Sequence, residues 1–176
     1  MKNPKTFGIA IVVAALTITV RLSGQGVPGE NATNVTGKTS SAPVWELQDV
    51  EGKTVHSSDF KGKVVILDFW ATWCPPCKAE IPGFIALQNE YGKKGLVVVG
   101  ISVDEGGADV VKNFAQKLGM NYPVVLADEK TQEAFGGIEA VPTTFIIDRE
   151  GRIVKEHMGF ADKDEFENEI KPLLNP

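Results

Sequence analysis

The sequence predicts an α/β domain: a mixed β-sheet with helices on both faces and a β-hairpin at its N-terminal end. Three observations carry this. Two continuous apolar runs, Val64–Trp70 and Leu96–Val103, have the character of strands buried on both faces. Segments of helical period alternate with them. Two further strand patterns, Thr144–Asp148 and Ile153–Met158, close on Arg149-Glu150-Gly151 as a hairpin.

In chain order, Val44–Leu47 and Lys53–His56 form the first hairpin around Glu51-Gly52. Val64–Trp70 is the central strand, interrupted only by Asp68. From Cys77 to Tyr91, Ile81, Phe84, Leu87 and Tyr91 recur at helical spacing, and Pro82 should kink that helix because it supplies no N–H. Leu96–Val103 follows as a second buried strand. Asp109–Leu118 reads as an amphipathic helix with Val110, Phe114 and Leu118 on one face. Val124–Ala127 is a short strand and Thr131–Phe135 a short helix. A final helix is capped by Asp162, with Glu165 completing a capping-box pattern, and buries Phe166, Ile170 and Leu173.

The chain has 176 residues, net charge −5 and two cysteines. At 43% hydrophobic and 23% charged it has the composition of a globular protein. An acidic balance with no Lys/Arg run argues against nucleic acid as a partner. Two cysteines exclude a disulfide-dense scaffold and a four-cysteine zinc site.

The charges are unevenly placed. Lys2 and Lys5 precede the apolar run Phe7–Val20, and Arg21 follows it. Residues 1–22 therefore read as a signal peptide or an N-terminal membrane anchor. The run is short for a spanning helix, which needs about 17–25 residues. Leu22-Ser23-Gly24 matches the start of a lipoprotein signal, but Gln25 stands where the lipidated cysteine would be. Residues 23–42 are rich in Gly, Ser, Thr, Asn and Pro and read as a flexible linker, with a reach of roughly 25 Å. Asn31-Ala32-Thr33 and Asn34-Val35-Thr36 match the glycosylation acceptor pattern, a cheap match in such a composition. Residues 43–176 form the domain. Without residues 1–25 the chain carries 15 Lys/Arg against 23 Asp/Glu, net −8.

Cys74-Pro75-Pro76-Cys77 lies between a buried strand and the start of a helix. A helix N-terminus carries partial positive charge and unpaired N–H donors, so it favours a thiolate. Cys74 should be the exposed nucleophile, and Cys77, one turn on, can resolve a mixed disulfide. Zinc would need two more ligands, and His56 and His157, expected on the surface, are the only histidines. A two-residue loop is a poor structural staple, because closure gains grow with loop length. Asp68, if it faces inward, is desolvated with a raised pKa and could accept the Cys77 proton. Glu80, one turn after Cys77, is the second candidate for proton traffic. Trp70 belongs to the core and Trp73 to the rim. Pro142 suits a tight turn, a cis bond among its options. If that turn meets the cysteines, the backbone at Val141 and Pro142 could hydrogen-bond an extended substrate.

Taken together, D-F-W-A-T-W-C-P-P-C-K-A-E-I-P and V-P-T-T-F-I-I-D, about 65 residues apart, resemble the thioredoxin superfamily. More narrowly, residues 43–174 are similar to extracytoplasmic thiol-disulfide oxidoreductases of the TlpA/ResA type. The resemblance implies a thioredoxin-like fold, with Pro142 at the place of the superfamily's cis-proline. It implies a redox-active Cys74–Cys77 disulfide, with Asp68 and Glu80 assisting and Trp73, Pro75, Val141 and Pro142 around the substrate. It also implies a periplasmic or outward-facing location and exchange with protein disulfides, often during cytochrome c maturation. No cofactor is implied. A membrane or exported electron donor is expected, with membrane contact only through residues 7–22, and a monomer. Position 68 is often Asn in this branch and Asp in cytoplasmic thioredoxins, so this chain offers two proton carriers.

Two other functions fit part of the pattern. Thiol peroxidases share the architecture but resemble one another in a Thr three residues before the reactive cysteine. Here that residue is Ala71, and Thr72 comes one place late. A copper chaperone would use both cysteines and a distant histidine, but related carriers favour a wider cysteine spacing.

Overall fold

The computed structural model describes residues 40–174. The expected signal or anchor, the acceptor-like asparagines and most of the linker lie outside the described residues. The strands are β1 (Ser40–Ser41), β2 (Glu46–Gln48), β3 (Thr54–His56), β4 (Val64–Trp70), β5 (Leu96–Ser102), β6 (Val124–Leu126), β7 (Thr143–Ile147) and β8 (Arg152–Met158). The helices are α1 (Pro75–Tyr91), α2 (Ala108–Leu118), α3 (Glu129–Ala134) and α4 (Lys163–Leu174). A six-stranded sheet runs in the order β1-β8-β7-β4-β5-β6, and β2 and β3 form a separate hairpin. β4, β5 and β6 are parallel, while β7, β8 and β1 are antiparallel to their neighbours. Ser40 and Ser41, linker-like by composition, pair with Ile153 and Arg152. Such pairing uses backbone groups and asks nothing of the side chains.

The period of two along β4 sorts its side chains. Val64, Ile66 and Trp70 face one core with Phe84 and Leu87 of α1, Val111 of α2 and Phe166 and Ile170 of α4. Val65, Leu67 and Phe69 face a second core with Trp45 and Leu47 of the hairpin, Phe135 and Phe145. Helices therefore cover both faces, three on one and the short α3 with the hairpin on the other. The parity places Asp68 on the same side as α1.

Two expected faces are corrected. Val110 is 46% and Leu118 38% exposed, whereas Val111 and Ala115 make the buried ridge of α2. Phe114 is half-buried between Trp70, at 5.6 Å between ring centroids, and the Lys78 ammonium. The small Ala115 lets the helix approach the sheet, so the larger residues beside it are turned outward. In α4, Leu174 rather than Leu173 completes the buried row with Phe166 and Ile170. The Glu165 N–H donates to the Asp162 carboxylate at 2.9 Å, as the cap pattern requires. α1 continues through Pro82 to Tyr91.

Two glycines are required where they stand. Gly95 enters β5 at φ +104, a left-handed conformation, with the Arg149 guanidinium 3.0 Å from where a Cβ would lie. At Gly100 a Cβ would lie 2.8 Å from the buried Trp70 Nε1.

Candidate functional site

Beyond Trp70 the chain leaves the sheet at the carboxyl end of β4. Asp104, just past β5, holds this exit: its carboxylate accepts the Thr72 N–H at 2.8 Å, the Thr72 hydroxyl at 2.5 Å and the Ser102 hydroxyl at 2.8 Å. No motif in the sequence marks Asp104. Its signal was its position, since sites in α/β sheets gather beyond the carboxyl ends of parallel strands.

Cys74 is the N-cap of α1 and Pro75 and Pro76 fill its first positions. A helix start leaves N–H groups unpaired, and proline has none to leave. The Cys77 N–H remains, and it donates to the Cys74 Sγ at 3.2 Å. The next, Lys78 N–H, turns to the Cys74 carbonyl at 3.2 Å. The two cysteines form a disulfide, with Cα atoms 5.4 Å apart.

The first cysteine is not exposed, contrary to expectation. Cys74 is 2% accessible and Cys77 fully buried in this oxidised form. The reason is the turn above it: the Val141–Pro142 peptide is cis, and the Val141 carbonyl oxygen sits 3.6 Å from the Cys74 Sγ. Pro142 is itself buried, and its carbonyl accepts the Gly159 N–H at 2.8 Å. Exposure falls instead on Pro75, Pro76 and Trp73, the last 64% accessible, with Met158 and Phe160 from the end of β8. Trp70 is core.

Both carboxylates lie inside. Asp68 pairs in register with Thr144 of β7 and accepts its hydroxyl at 3.1 Å. Burial, and then the charge of Glu80, hold the Asp68 carboxyl well above the usual range, against the Thr144 hydrogen bond. Glu80 projects into the core from α1, where Oε1 accepts the Ala161 N–H at 2.8 Å and Oε2 is buried without a partner. Burial raises its pKa to about 7, the Ala161 bond opposing. A proton on Oε2 relieves the cost of an unpaired buried charge. Tyr122 is also pushed up, by burial and then by these two acids.

The histidines separate. His56 is exposed, but His157 is not a surface strand residue. It is mostly buried, 2.7 Å from Glu169 and 3.6 Å from Glu165. These three are the metal-capable group among the described residues, and it includes neither cysteine. Thr72, the displaced threonine of the peroxidase pattern, spends its hydroxyl on Asp104.

A strand-to-helix dithiol beneath a cis-proline turn, on a mixed sheet flanked by helices, defines a thioredoxin-like oxidoreductase. The chain belongs to the AhpC/TSA family, whose model matches residues 39–156, and within it to the ResA-type thiol-disulfide oxidoreductases. It is 37% identical over 135 residues to thiol-disulfide oxidoreductase ResA of Bacillus anthracis, covering 75% of this chain and 76% of that protein. Against ResA of Bacillus subtilis (strain 168) identity is 39% over 137 residues, 76% of this chain and 75% of the relative. Among solved structures it is similar to a thiol:disulfide interchange protein of the thioredoxin family from Chlorobium tepidum TLS. That match has TM-score 0.72 and 36% identity, and covers 78% of this chain and 98% of the other. The exposed lipoprotein thioredoxin of Streptococcus pneumoniae gives TM-score 0.65 and 36% identity, over 74% and 100% of the two chains. The protein is thus a thiol-disulfide oxidoreductase that exchanges electrons with protein dithiols and disulfides.

Proposed function

We propose that the chain works outside the cytoplasm, tethered through residues 7–22, as a reductant of protein disulfides, with cytochrome c maturation as its setting. One observation carries the direction. Pro75 and Pro76 leave a single N–H, that of Cys77, on the Cys74 sulfur. A reduced form with a poorly stabilised thiolate gives up its electrons more readily, whereas strong thiolate stabilisation makes an oxidant.

The Cys74 thiolate attacks one sulfur of the substrate disulfide, forming a mixed disulfide and expelling the other sulfur as thiolate. Cys77 loses its proton to the buried carboxylates, Glu80 or Asp68, and attacks the Cys74 sulfur. The second substrate sulfur leaves, and the chain is left with the Cys74–Cys77 disulfide. Trp73, Pro75 and the Val141–Pro142 backbone form the contact surface for the substrate. A membrane or exported donor returns two electrons, and the chain works as a monomer.

Cys77→Ser is expected to accumulate a covalent complex through Cys74, seen on non-reducing gels and lost with dithiothreitol. The reading is overturned by the absence of a trapped complex together with no insulin reduction by the native protein. A reduction potential below about −250 mV supports the reductant, and one near about −120 mV reverses the direction.

A further inference from the structure

The end of the domain opposite the dithiol holds a second site. The seven residues of β4 separate the two ends by about 20 Å. There, between the turn into β4, the β7–β8 turn and the first hairpin, lies a cavity of about 330 Å³. Its walls are apolar, with Trp45, Phe60, Val65, Leu67 and Ile147, and Val44 stands at its lip, 88% exposed. Its rim carries Lys61, Lys63 and Arg149.

The charges of this rim are not balanced locally. Its two acids, Asp148 and Glu150, are both taken by Arg152, at 2.7 and 3.1 Å. The Arg149 guanidinium donates to the carbonyls of Gly62, Lys94, Leu173 and Leu174, at 2.9, 3.2, 3.4 and 3.2 Å, and among the described residues meets no carboxylate. Among the described residues Lys61 and Lys63 make no ion pair within 4.0 Å, and the exposed Lys93 lies at the same end. In a chain that is acidic overall, an apolar cavity ringed by unpaired cations suits an anionic amphiphile.

The chain also enters the domain here. The Ala42 N–H donates to the Gly151 carbonyl at 2.8 Å, and Ser41 pairs with Arg152. By composition the preceding segment is almost without bulky apolar side chains. By coil statistics a segment of that composition has a reach of roughly 25 Å.

We propose that the cavity and its cationic rim bind an anionic phospholipid of the membrane that carries the chain. The head group lies among Lys61, Lys63 and Arg149, the chain-proximal part of the lipid lies against Trp45 and Phe60, and the dithiol faces away from the bilayer. This rests on the tethered, outward-facing reading above.

The test reconstitutes the full chain into vesicles of phosphatidylcholine, or of an equimolar mixture with phosphatidylglycerol. Lysines are labelled with a water-soluble amine reagent and read by mass spectrometry. Lys61 and Lys63 are expected to react roughly fivefold more slowly on mixed vesicles than on phosphatidylcholine. Lys78, in the first turns of α1 at the dithiol end, should be unchanged, and high salt should remove the protection. Val44→Glu, at an exposed position, should weaken the protection without disturbing the fold. Equal labelling on both lipids overturns the proposal. So does protection on neutral lipid that survives high salt, which would mean apolar burial without recognition of an anionic head group. Failure to float with phosphatidylcholine vesicles is a failure of the tether alone. The lipid site is then read from protection of the chain added to mixed vesicles, its presence supporting the site and its absence overturning it.

Discussion

At the scale of single residues, two acids buried in the helix-covered core, Asp68 and Glu80, are the proton carriers proposed for the disulfide chemistry. Glu80 keeps one oxygen on the Ala161 N–H and leaves the other unpartnered, and Asp68 is held by Thr144. Each is neutral under conditions in which a surface carboxylate is charged. The same raised pKa makes the ionised carboxylate a stronger base, which suits the proposed resolving step, in which a buried thiol must lose a proton without access to water. Glu80→Gln keeps an acceptor for Ala161 but cannot take a proton. It should slow resolution of a mixed disulfide by roughly a hundredfold, near the lower end for general acid–base catalysis, and remove the inflection near pH 7. Asp68→Asn should slow the same step while leaving that inflection in place. Rapid-quench measurement across pH separates the two. An unchanged profile in Glu80→Gln would remove Glu80 from the proton path.

At the scale of elements, β4 and α2 show how packing allots each face. Trp70 packs against Phe114 of α2, and β5 has Gly100 where any side chain would strike the indole. Gly100→Ala should cost about 1–3 kcal/mol, the usual cost of overpacking, measured as a lower urea midpoint. No loss would mean that Trp70 has room to move. The ridge of α2 gives a paired comparison. Val111→Ser should destabilise by roughly 2 kcal/mol or more, through a lost methyl contact and a buried hydroxyl. Val110→Ser, on the exposed face, should stay within about 0.5 kcal/mol. Equal effects in chemical denaturation would restore the face that the spacing of larger residues suggests.

For the whole molecule, the carboxylates make stability depend on pH from both sides. Glu80 has a raised pKa, about 7, and Asp68 is raised as well. As pH climbs from the unfolded carboxylate range through about 7, the unfolded chain has released protons that the folded one still holds, so stability falls. Glu167, lowered to about 2 chiefly by Lys163 and then Lys171 and Tyr91, acts in the opposite sense. Asp128 and Asp148 are lowered too, and with Glu167 they lose stability as the pH drops below the ordinary carboxylate range. The oxidised protein should therefore be most stable at about pH 5, and its urea midpoint should decline toward pH 8. In Glu80→Gln that decline should shrink. A midpoint flat from pH 5 to 8 would mean that neither buried acid keeps its proton.

Much of this was legible in the chain. The strands β4 and β5 announce themselves as unbroken apolar runs, because a strand covered on both faces needs apolar residues at every position. Cys74-Pro75-Pro76-Cys77 is local chemistry at a strand-to-helix junction, and the two-residue period along β4 already puts Asp68 on one side. Other features arise only when distant segments meet. The burial of Cys74 depends on Val141, 67 residues away, and the setting of Glu80 on Ala161, 81 residues away. Asp104 reaches Thr72 across 32 residues, and His157 leaves the surface because α4 folds back over β8. Local patterning shows which residues are able to be buried or to react. Which carboxylate loses its water, and which sulfur is shielded, depends on contacts between segments that no spacing along the chain records.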